Sequence, residues 1–375
     1  MKTIHKSRPI KIFTPSCADE SDSNAQNLTV KELVARLPPD RFHVTMILEG
    51  GPDPRLAFRP NTSLIRWTKK GNTLRLIRHC MFSRPDIYFF PRCGPLDRAF
   101  FDFRKYCHPS TALVTYIVMA MDENTSRGLI GRSIVEGDAV CANSHYVAET
   151  VKQRFNVSPD VLHDGVDARF YFARPHDKSP AHLSVLYAGS FSPRKRVEQV
   201  IEQAARWPEV QFRLAGKGPT EDRCRQLCLQ YGIHNVQFLG HLSSTELADE
   251  MRKADVFLFP SILEGHPQVL IQATACGLPV VAMNTYHPDC VIDGQTGFLA
   301  ATDEELSQGL AVLLVNPEIR RRMAAAAARL AQKFDWDCIA GKWANLFSQV
   351  VARRQKLSGA AYPEPIPASP LKEEL

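Results

Sequence analysis

The stretch Val256–Met283 reads VFLFPSILEGHPQVLIQATACGLPVVAM, and it predicts a strand, a loop, a helix and a second strand. Its first four residues are all apolar, as in a parallel strand that is buried on both faces. Pro267 suits the first position of a helix, where a missing N–H group costs nothing. Gly277 and Pro279 are the usual signals for the end of a helix. This order of elements is typical of an α/β fold with a parallel sheet.

Glu264 is the one acidic side chain in the loop between that strand and that helix. The N-terminus of a helix offers N–H groups and the positive end of the helix dipole, and both attract phosphate. A carboxylate accepts hydrogen bonds from hydroxyl groups. A site that combines the two features suits a sugar attached to a diphosphate.

Strand and helix patterns alternate along the rest of the chain in two successive series of similar size. We therefore predict two facing Rossmann-like domains with a cleft between them. Prolines and charged residues after residue 172 indicate a linker. The predicted divisions are an N-terminal domain over 1–172, a linker over 173–182, a C-terminal domain over 183–335, a helix over 336–356 and a disordered tail over 357–375.

Composition and cysteine usage are those of a globular protein. The chain has 375 residues, a formal net charge of +6 and ten cysteines. No window approaches about 18 uninterrupted apolar residues, so we expect no transmembrane helix. The cysteines form no Cys-x-x-Cys pair, and a reducing cytoplasm explains them most simply. The basic residues lack the interleaved aromatic residues that would indicate a nucleic-acid-binding surface.

A basic segment in the first half of the chain suggests a contact with anions. Its cations are Arg66, Lys69, Lys70, Arg75 and Arg78. They suit lipid head groups or an anionic acceptor, and a merely solvated face is the alternative. We therefore expect a cytoplasmic protein, with peripheral contact at the inner face of a membrane as one option.

The stretch quoted above resembles the signature of the retaining glycosyltransferases of family 4, which have the GT-B fold. Their pattern is proline-serine, then glutamate-glycine-x-proline, with a second glutamate eight residues after the first. Here Pro260, Ser261 and Glu264 match, whereas Gln272 stands at the second glutamate position. Further similarity to the family's motifs lies at 143–144, 164–167, 185–196, 214–219, 238–241, 288–297 and 334–336.

The resemblance implies a retaining transferase of hexosyltransferase type, with a nucleotide-diphosphate sugar as donor and a hydroxyl group as acceptor. UDP and GDP are the expected nucleotides, and the product belongs to glycan, glycolipid or glycosylated metabolite biosynthesis. No metal and no cofactor are expected. The first domain is then the acceptor side, the second binds the nucleotide sugar, and the helix over 336–356 crosses back onto the first domain.

The resemblance also implies roles for individual residues. Lys195 would neutralise the donor diphosphate, and Glu264 would bind hydroxyls of the transferred sugar and hold the charge that develops at its ring. Gln272 would bond the ribose hydroxyls. The residues expected to bind the donor are Gly189, Ser190, Arg194, Lys195, Gly216, Gly265, His266, Pro267, Gln268, Val269 and Gln272.

Each of these roles has a simpler alternative. Lys195 is otherwise an exposed loop lysine, and Glu264 a carboxylate that caps the following helix. Ser190 stands where the family has an arginine, and Arg194 or Arg196 is the candidate for replacing that cation.

The first domain departs further from the family. No glycine-rich loop follows its first strand, and the family's frequent histidine after the fourth strand is missing. Asn24, Asp122 and Glu123 are the candidates for the acceptor side, with solvated polar groups as the alternative.

Three other functions fit the same architecture. A sugar-nucleotide epimerase would interconvert donors without an acceptor, and a phosphorylase would require phosphate. A degenerate member of the family would only bind nucleotide or partners, without catalysis, as Ser190, Gln272 and the missing histidine suggest.

Overall fold

The computed structural model describes residues 8–20, 25–67, 78–79, 82–90, 101–102, 104–120, 135–173 and 183–358. The chain forms two compact units. Unit 1 comprises residues 1–142, 148–162 and 340–375, and unit 2 comprises residues 143–147 and 163–339.

Unit 1 is built on a parallel sheet of seven strands in the order β3-β2-β1-β4-β5-β6-β7. The strands are β1 (Ile10–Cys17), β2 (Phe42–Leu48), β3 (Thr62–Arg66), β4 (Ile87–Phe90), β5 (Ala112–Ile117), β6 (Ala139–Ala142) and β7 (Asp160–Val161). The helices with defined bounds among the described residues are α1 (Ala25–Arg36), α2 (Pro54–Ala57) and α3 (His145–Phe155), and the first three residues of α3 belong to unit 2. All residues of β4, β5 and β6 are buried, as expected for central parallel strands covered on both faces.

Unit 2 repeats this plan with a parallel sheet of six strands in the order β10-β9-β8-β11-β12-β13. The strands are β8 (Ser184–Ala188), β9 (Gln211–Ala215), β10 (Val236–Gly240), β11 (Val256–Phe259), β12 (Val280–Met283) and β13 (Gly297–Ala300). The helices are α4 (Val197–Arg206), α5 (Glu221–Gln230), α6 (Ser244–Lys253), α7 (Gln268–Ala275), α8 (Asp303–Val315) and α9 (Pro317–Ala331). Short 3₁₀ helices cover Pro193–Lys195 and Gln332–Phe334.

The predicted strand-loop-helix-strand stretch forms β11, α7 and β12, with one correction at the start of the helix. Pro267 is the N-cap, with ψ 116°, so α7 begins one residue later than predicted. The end of α7 follows the prediction, because Gly277 has φ +71° and ends the helix. The N–H groups of Gly277 and Leu278 donate to the carbonyls of Thr274 and Ala273, which is a Schellman motif.

The compact units divide the chain differently from the predicted boundary at residue 172. Residues 163–172 belong to unit 2 because Val166 is hydrogen-bonded on both sides to the end of that unit. Its N–H donates to Phe334 O at 2.8 Å, and its carbonyl accepts from Trp336 N at 3.1 Å. Residues 174–182 of the predicted linker and 359–375 of the predicted tail lie outside the described residues.

The last described helix, α10 (Trp336–Ser358), begins in unit 2 and continues in unit 1 from residue 340. In unit 1 its Trp343 is fully buried. The Trp343 ring lies 5.1 Å from the rings of Phe89 and Tyr116 and 5.3 Å from that of Phe347. Across the described residues, no helix combines the length and the apolar character that a bilayer span requires.

Candidate functional site

The order of strands in unit 2 places the predicted site at one edge of the sheet. From β8 the chain proceeds outward through β9 and β10, and then returns to add β11, β12 and β13 on the other side. The order therefore reverses between β8 and β11, and open α/β sheets bind ligands at the carboxyl ends of the strands at such a point. Lys195 follows β8 and Glu264 follows β11, so both lie at this position.

The carboxylate of Glu264 is the centre of the site. Its Oε1 atom lies 2.6 Å from Lys195 Nζ and 2.7 Å from Arg194 Nη1. Ser261 Oγ donates to the same oxygen at 2.5 Å. Glu264 is 6% exposed, and Lys195 is 7% exposed. The structure thus brings together two cations and one anion from loops that are about 70 residues apart in the chain.

These contacts decide between the alternatives for both residues. Lys195 is buried rather than an exposed loop lysine. Glu264 does not cap α7, because the N-cap is Pro267 and no side chain makes a cap hydrogen bond there. A buried carboxylate that pairs with two cations is costly to maintain for stability alone, and such arrangements are frequent at functional sites.

Lys195 lies in an unusual environment for a lysine. Burial lowers the pKa of Lys195 from its ordinary value, although the adjacent carboxylate of Glu264 opposes the shift. The ammonium group also lies 4.6 Å from the centre of the Phe259 ring, which adds a cation–π contact. A cation with so little water around it interacts strongly with an incoming anion.

Arg194 is the arginine near Ser190 that lies in the site. Besides its contact with Glu264, Arg194 Nη1 donates to Leu263 O at 2.8 Å, which holds the guanidinium beside the loop after β11. Arg196 instead pairs with Asp303 at 2.5 Å. Of the two arginines considered from the sequence, the structure therefore places Arg194 in the site and Arg196 outside it.

The strand-end glycines contact one another. A Cβ atom on Gly216, which has φ +135°, would lie 1.9 Å from Gly189 O, so the loops after β8 and β9 could not pack together. Gly189 N already donates to Ala215 O, and Gly216 N donates to Gly240 O. These glycines shape the edge of the sheet, and their own N–H groups are engaged with the protein.

The residues that begin α7 follow directly after Glu264. The positive end of the α7 dipole, at Pro267, Gln268 and Val269, therefore begins three residues after Glu264 in the chain. Gly265 O accepts a hydrogen bond from Ser144 Oγ at 3.3 Å. Farther along α7, Gln272 Oε1 is buried and has no hydrogen-bond partner among the described residues. That amide oxygen is available to accept a hydrogen bond from a ligand hydroxyl.

His266 points into the interior of unit 2. It is 4% exposed, and its ring packs 5.1 Å from that of His163 and 5.5 Å from that of Phe334. Burial, followed by the charge of His163, lowers the pKa of His266 to about 3, so the ring is neutral at pH 7. Neither ring nitrogen has a partner within the described part of the chain.

A group of titratable residues that the sequence analysis did not identify lies next to His266. His163 Nε2 is 2.9 Å from Asp289 Oδ2, and His145 Nδ1 is 3.1 Å from Asp289 Oδ1. Burial raises the pKa of Asp289, but hydrogen bonds from His163 and from the His145 backbone outweigh it, and the pKa is about 2. In the sequence analysis, Asp289 lay only within the stretch 288–297 that is similar to a family motif.

The predicted residues of the first domain are described only in part. Asn24, Asp122 and Glu123 lie outside the described residues, as do Lys69, Lys70 and Arg75. Arg66 and Arg78 line a cavity of about 670 Å³ in unit 1, together with His79 and Phe82. The structure therefore gives two cations of the basic segment a common cavity.

Comparison with known proteins relates the second half of the chain to sugar transfer. Residues 173–330 match the family model for glycosyl transferases group 1. An uncharacterised glycosyltransferase of Methanocaldococcus jannaschii is 26% identical over 208 residues, covering 54% of this chain and 58% of the relative. The D-inositol 3-phosphate glycosyltransferase of Mycobacterium bovis is 32% identical over 253 residues, covering 60% of this chain and 52% of the relative. The chain thus spans little more than half the length of these relatives.

Solved structures match nearly the whole chain. Sucrose-phosphate synthase from Thermosynechococcus elongatus superimposes with a TM-score of 0.76 at 18% identity, over 92% of this chain and 100% of that chain. Anabaena HepE in complex with UDP and glucose gives a TM-score of 0.75 at 18% identity, over 91% of this chain and 100% of that chain. At this identity the likeness concerns the fold, and it confirms the predicted α/β architecture of the GT-B class.

Proposed function

We propose that this chain is a retaining glycosyltransferase that moves a sugar from a nucleotide-diphosphate sugar to a hydroxyl acceptor. The observation that carries the proposal is the convergence of Lys195 and Arg194 on Glu264 at the point where the strand order reverses. The family match over residues 173–330 and the glycosyltransferase relatives support the same class of reaction.

Binding of the donor would exchange one anion for another. Without ligand, Lys195 and Arg194 both pair with the single carboxylate of Glu264, which leaves one positive charge in excess. A diphosphate carries more negative charge than one carboxylate, so it competes for both cations and also gains from the N-terminus of α7. The carboxylate of Glu264 is then released to accept hydrogen bonds from hydroxyls of the donor sugar.

Transfer then requires the diphosphate to depart with its charge stabilised. The bond between the anomeric carbon and the diphosphate oxygen breaks, and the acceptor oxygen bonds to that carbon on the same face. The acceptor proton passes to the departing diphosphate. In this proposal, the buried Lys195 and the more exposed Arg194 stabilise the charge that develops on the leaving group, as preorganised cations do. This role of the cations is the reason for proposing a metal-independent reaction.

The donor nucleotide to test first is UDP, followed by GDP. Anabaena HepE, which shares the fold, was solved with UDP and glucose. The buried Gln272 Oε1 is available to a ribose hydroxyl, which either nucleotide provides. For the acceptor we propose a hydroxyl group of a glycan, glycolipid or metabolite.

Thermal-shift titration with UDP, GDP, ADP and dTDP, and then with sugar nucleotides, tests the proposal. A ligand at 100 times its dissociation constant stabilises a fold by about 2.7 kcal/mol, which is visible as a raised midpoint. We expect one diphosphate to raise the midpoint of the wild type and to bind at least tenfold more weakly to Lys195→Met. The exposed Lys333→Met is the matched control and should bind as the wild type does.

The other outcomes identify the alternatives. If no diphosphate shifts the midpoint, the chain is a degenerate member without catalysis. Equal binding by Lys195→Met and the wild type would contradict the role given to Lys195.

With a bound donor identified, interconversion of sugar nucleotides without acceptor indicates an epimerase, and a strict requirement for phosphate indicates a phosphorylase. The anomeric proton coupling of the product, measured by NMR, tests retention.

A further inference from the structure

His145, His163 and Asp289 converge from three separate segments of unit 2. His145 is the first residue of α3, His163 follows β7 by two residues, and Asp289 lies in the loop between β12 and β13. The ligand atoms of the three side chains all lie within 4.8 Å of one another. Two of the separations are shorter, at 2.9 Å from His163 Nε2 and 3.1 Å from His145 Nδ1 to the two carboxylate oxygens.

We propose that these three residues form a binding site for a divalent transition-metal ion of the zinc class. Two imidazole nitrogens and one carboxylate are a ligand set that zinc uses in open sites, with water in the fourth position. Bonds of about 2.0–2.2 Å in tetrahedral geometry place ligand atoms about 3.4 Å apart. The two separations from histidine to Asp289 therefore need to widen by only a few tenths of an ångström, and the two histidine nitrogens lie within 4.8 Å of each other. Magnesium and calcium prefer oxygen ligands, so they should bind poorly.

The ligands are held in place by contacts outside the group. Asp289 Oδ2 also accepts a hydrogen bond from the His145 backbone N–H at 2.9 Å, which fixes the carboxylate. The His163 ring packs 5.1 Å from the rings of both His266 and Phe334, which fixes its orientation. Supporting contacts of this kind orient ligands in metal sites.

One ligand remains accessible from solvent. The side chain of His145 is 71% exposed, whereas those of His163 and Asp289 are 16% and 17% exposed. An ion can therefore reach the site by displacing water from His145. The partly buried pair then supplies two ligands that are already in place.

A bound ion would join parts of unit 2 that are distant in sequence. His163 and Asp289 are 126 residues apart. The segments 143–147 and 163–172 both follow stretches of unit 1, so the ion would fasten these two entry segments onto the body of unit 2. This role is separate from the reaction proposed above, and its test does not depend on activity.

The test is metal binding by the full-length chain after treatment with a chelator. We expect isothermal titration to give one equivalent of Zn²⁺, and Co²⁺ to give the visible absorption of a tetrahedral site. Mg²⁺ should not compete. The variants His145→Ala and Asp289→Asn should each bind at least tenfold more weakly, whereas the exposed control His234→Ala should bind as the wild type does.

Two results would overturn the proposal. The first is the lack of Zn²⁺ and Co²⁺ binding by the wild type. The second is metal binding that His145→Ala leaves unchanged. That result would assign the ion to other ligands, such as the free thiols of Cys224 and Cys228. Because His145 is exposed, its replacement leaves the fold intact and keeps the test valid if Asp289→Asn does not fold.

Discussion

At the scale of single residues, the site shows how one position compensates for another. Ser190 cannot provide the cation that its motif normally supplies, and Arg194, four residues later, contacts Glu264 instead. The 3₁₀ helix Pro193–Lys195 places two successive basic side chains against the same carboxylate. We therefore expect Arg194 to provide the charge that Ser190 cannot.

Gln272 offers a direct test of nucleotide binding. Its Oε1 atom is buried without a partner among the described residues. The variant Gln272→Glu should therefore place a carboxylate oxygen at a position from which a hydrogen bond to the nucleotide is expected. Hydrogen bonds to charged groups are about 1 kcal/mol stronger, so we expect roughly fivefold tighter binding of the nucleoside diphosphate. The free protein should melt at a lower temperature, because the new charge is buried without a partner.

Calorimetric titration measures the affinity for the nucleoside diphosphate. Thermal melting of the free protein measures the loss of stability. The control is Gln295→Glu, which makes the same chemical change at an exposed position of unit 2 and should alter neither quantity. Unchanged affinity in Gln272→Glu would show that this side chain does not contact the nucleotide.

At the scale of elements, two helices of unit 2 end in the same way. After α5, Gly232 has φ +62°, and Ile233 N donates to Cys228 O at 2.9 Å. After α7, Gly277 has φ +71°, and Leu278 N donates to Ala273 O at the same distance. Both are Schellman motifs, in which a left-handed residue turns the chain away from the helix.

The two glycines differ in their surroundings, and this difference gives a prediction. A Cβ atom on Gly232 meets nothing within 4 Å, whereas one on Gly277 lies 3.0 Å from Ala173 Cβ. Gly232→Ala should lower the free energy of unfolding of unit 2 by about 1–2 kcal/mol, from the backbone conformation alone. Gly277→Ala should lower the free energy of unfolding by more than this, because Ala173 must also move. Denaturant unfolding measures the free energy of unfolding of both variants. An equal or smaller decrease for Gly277→Ala than for Gly232→Ala would contradict the prediction.

The same element shows how far the sequence could predict the structure. The apolar run of β11 and the glycine after α7 are local signals, and both were located correctly. The start of α7 was placed one residue early, since Pro267 is equally compatible with the N-cap and the first helical turn. The burial of Lys195 against Glu264 depends on which strands are adjacent, and no local pattern contains that information.

At the scale of the whole molecule, the predictions were limited by contacts between distant segments. Two parallel sheets follow from the alternation of strand and helix patterns, and the structure contains them. The compact units divide the chain elsewhere than at residue 172, because the backbone hydrogen bonds of Val166 reach residues 334 and 336. His145, His163 and Asp289 were not linked, since their proximity arises only once unit 2 has folded.

The course of α10 leads to a prediction about the stability of the two units. The helix begins in unit 2, yet its Trp343 is fully buried in unit 1 against Phe89 and Tyr116. Truncating a buried aromatic residue to alanine usually costs about 3–5 kcal/mol. Trp343→Ala should therefore destabilise unit 1 and leave the core of unit 2 intact.

Hydrogen exchange followed by mass spectrometry can assign that loss to one unit without any ligand. Peptides that contain β4 and β5 should exchange faster in Trp343→Ala, whereas peptides that contain β8 and β11 should exchange as in the wild type. Trp343→Phe keeps part of the ring contacts and should show a smaller effect in the same peptides. Equal acceleration in both sheets would mean that the two units unfold together, because local openings within one unit expose only the amides of that unit.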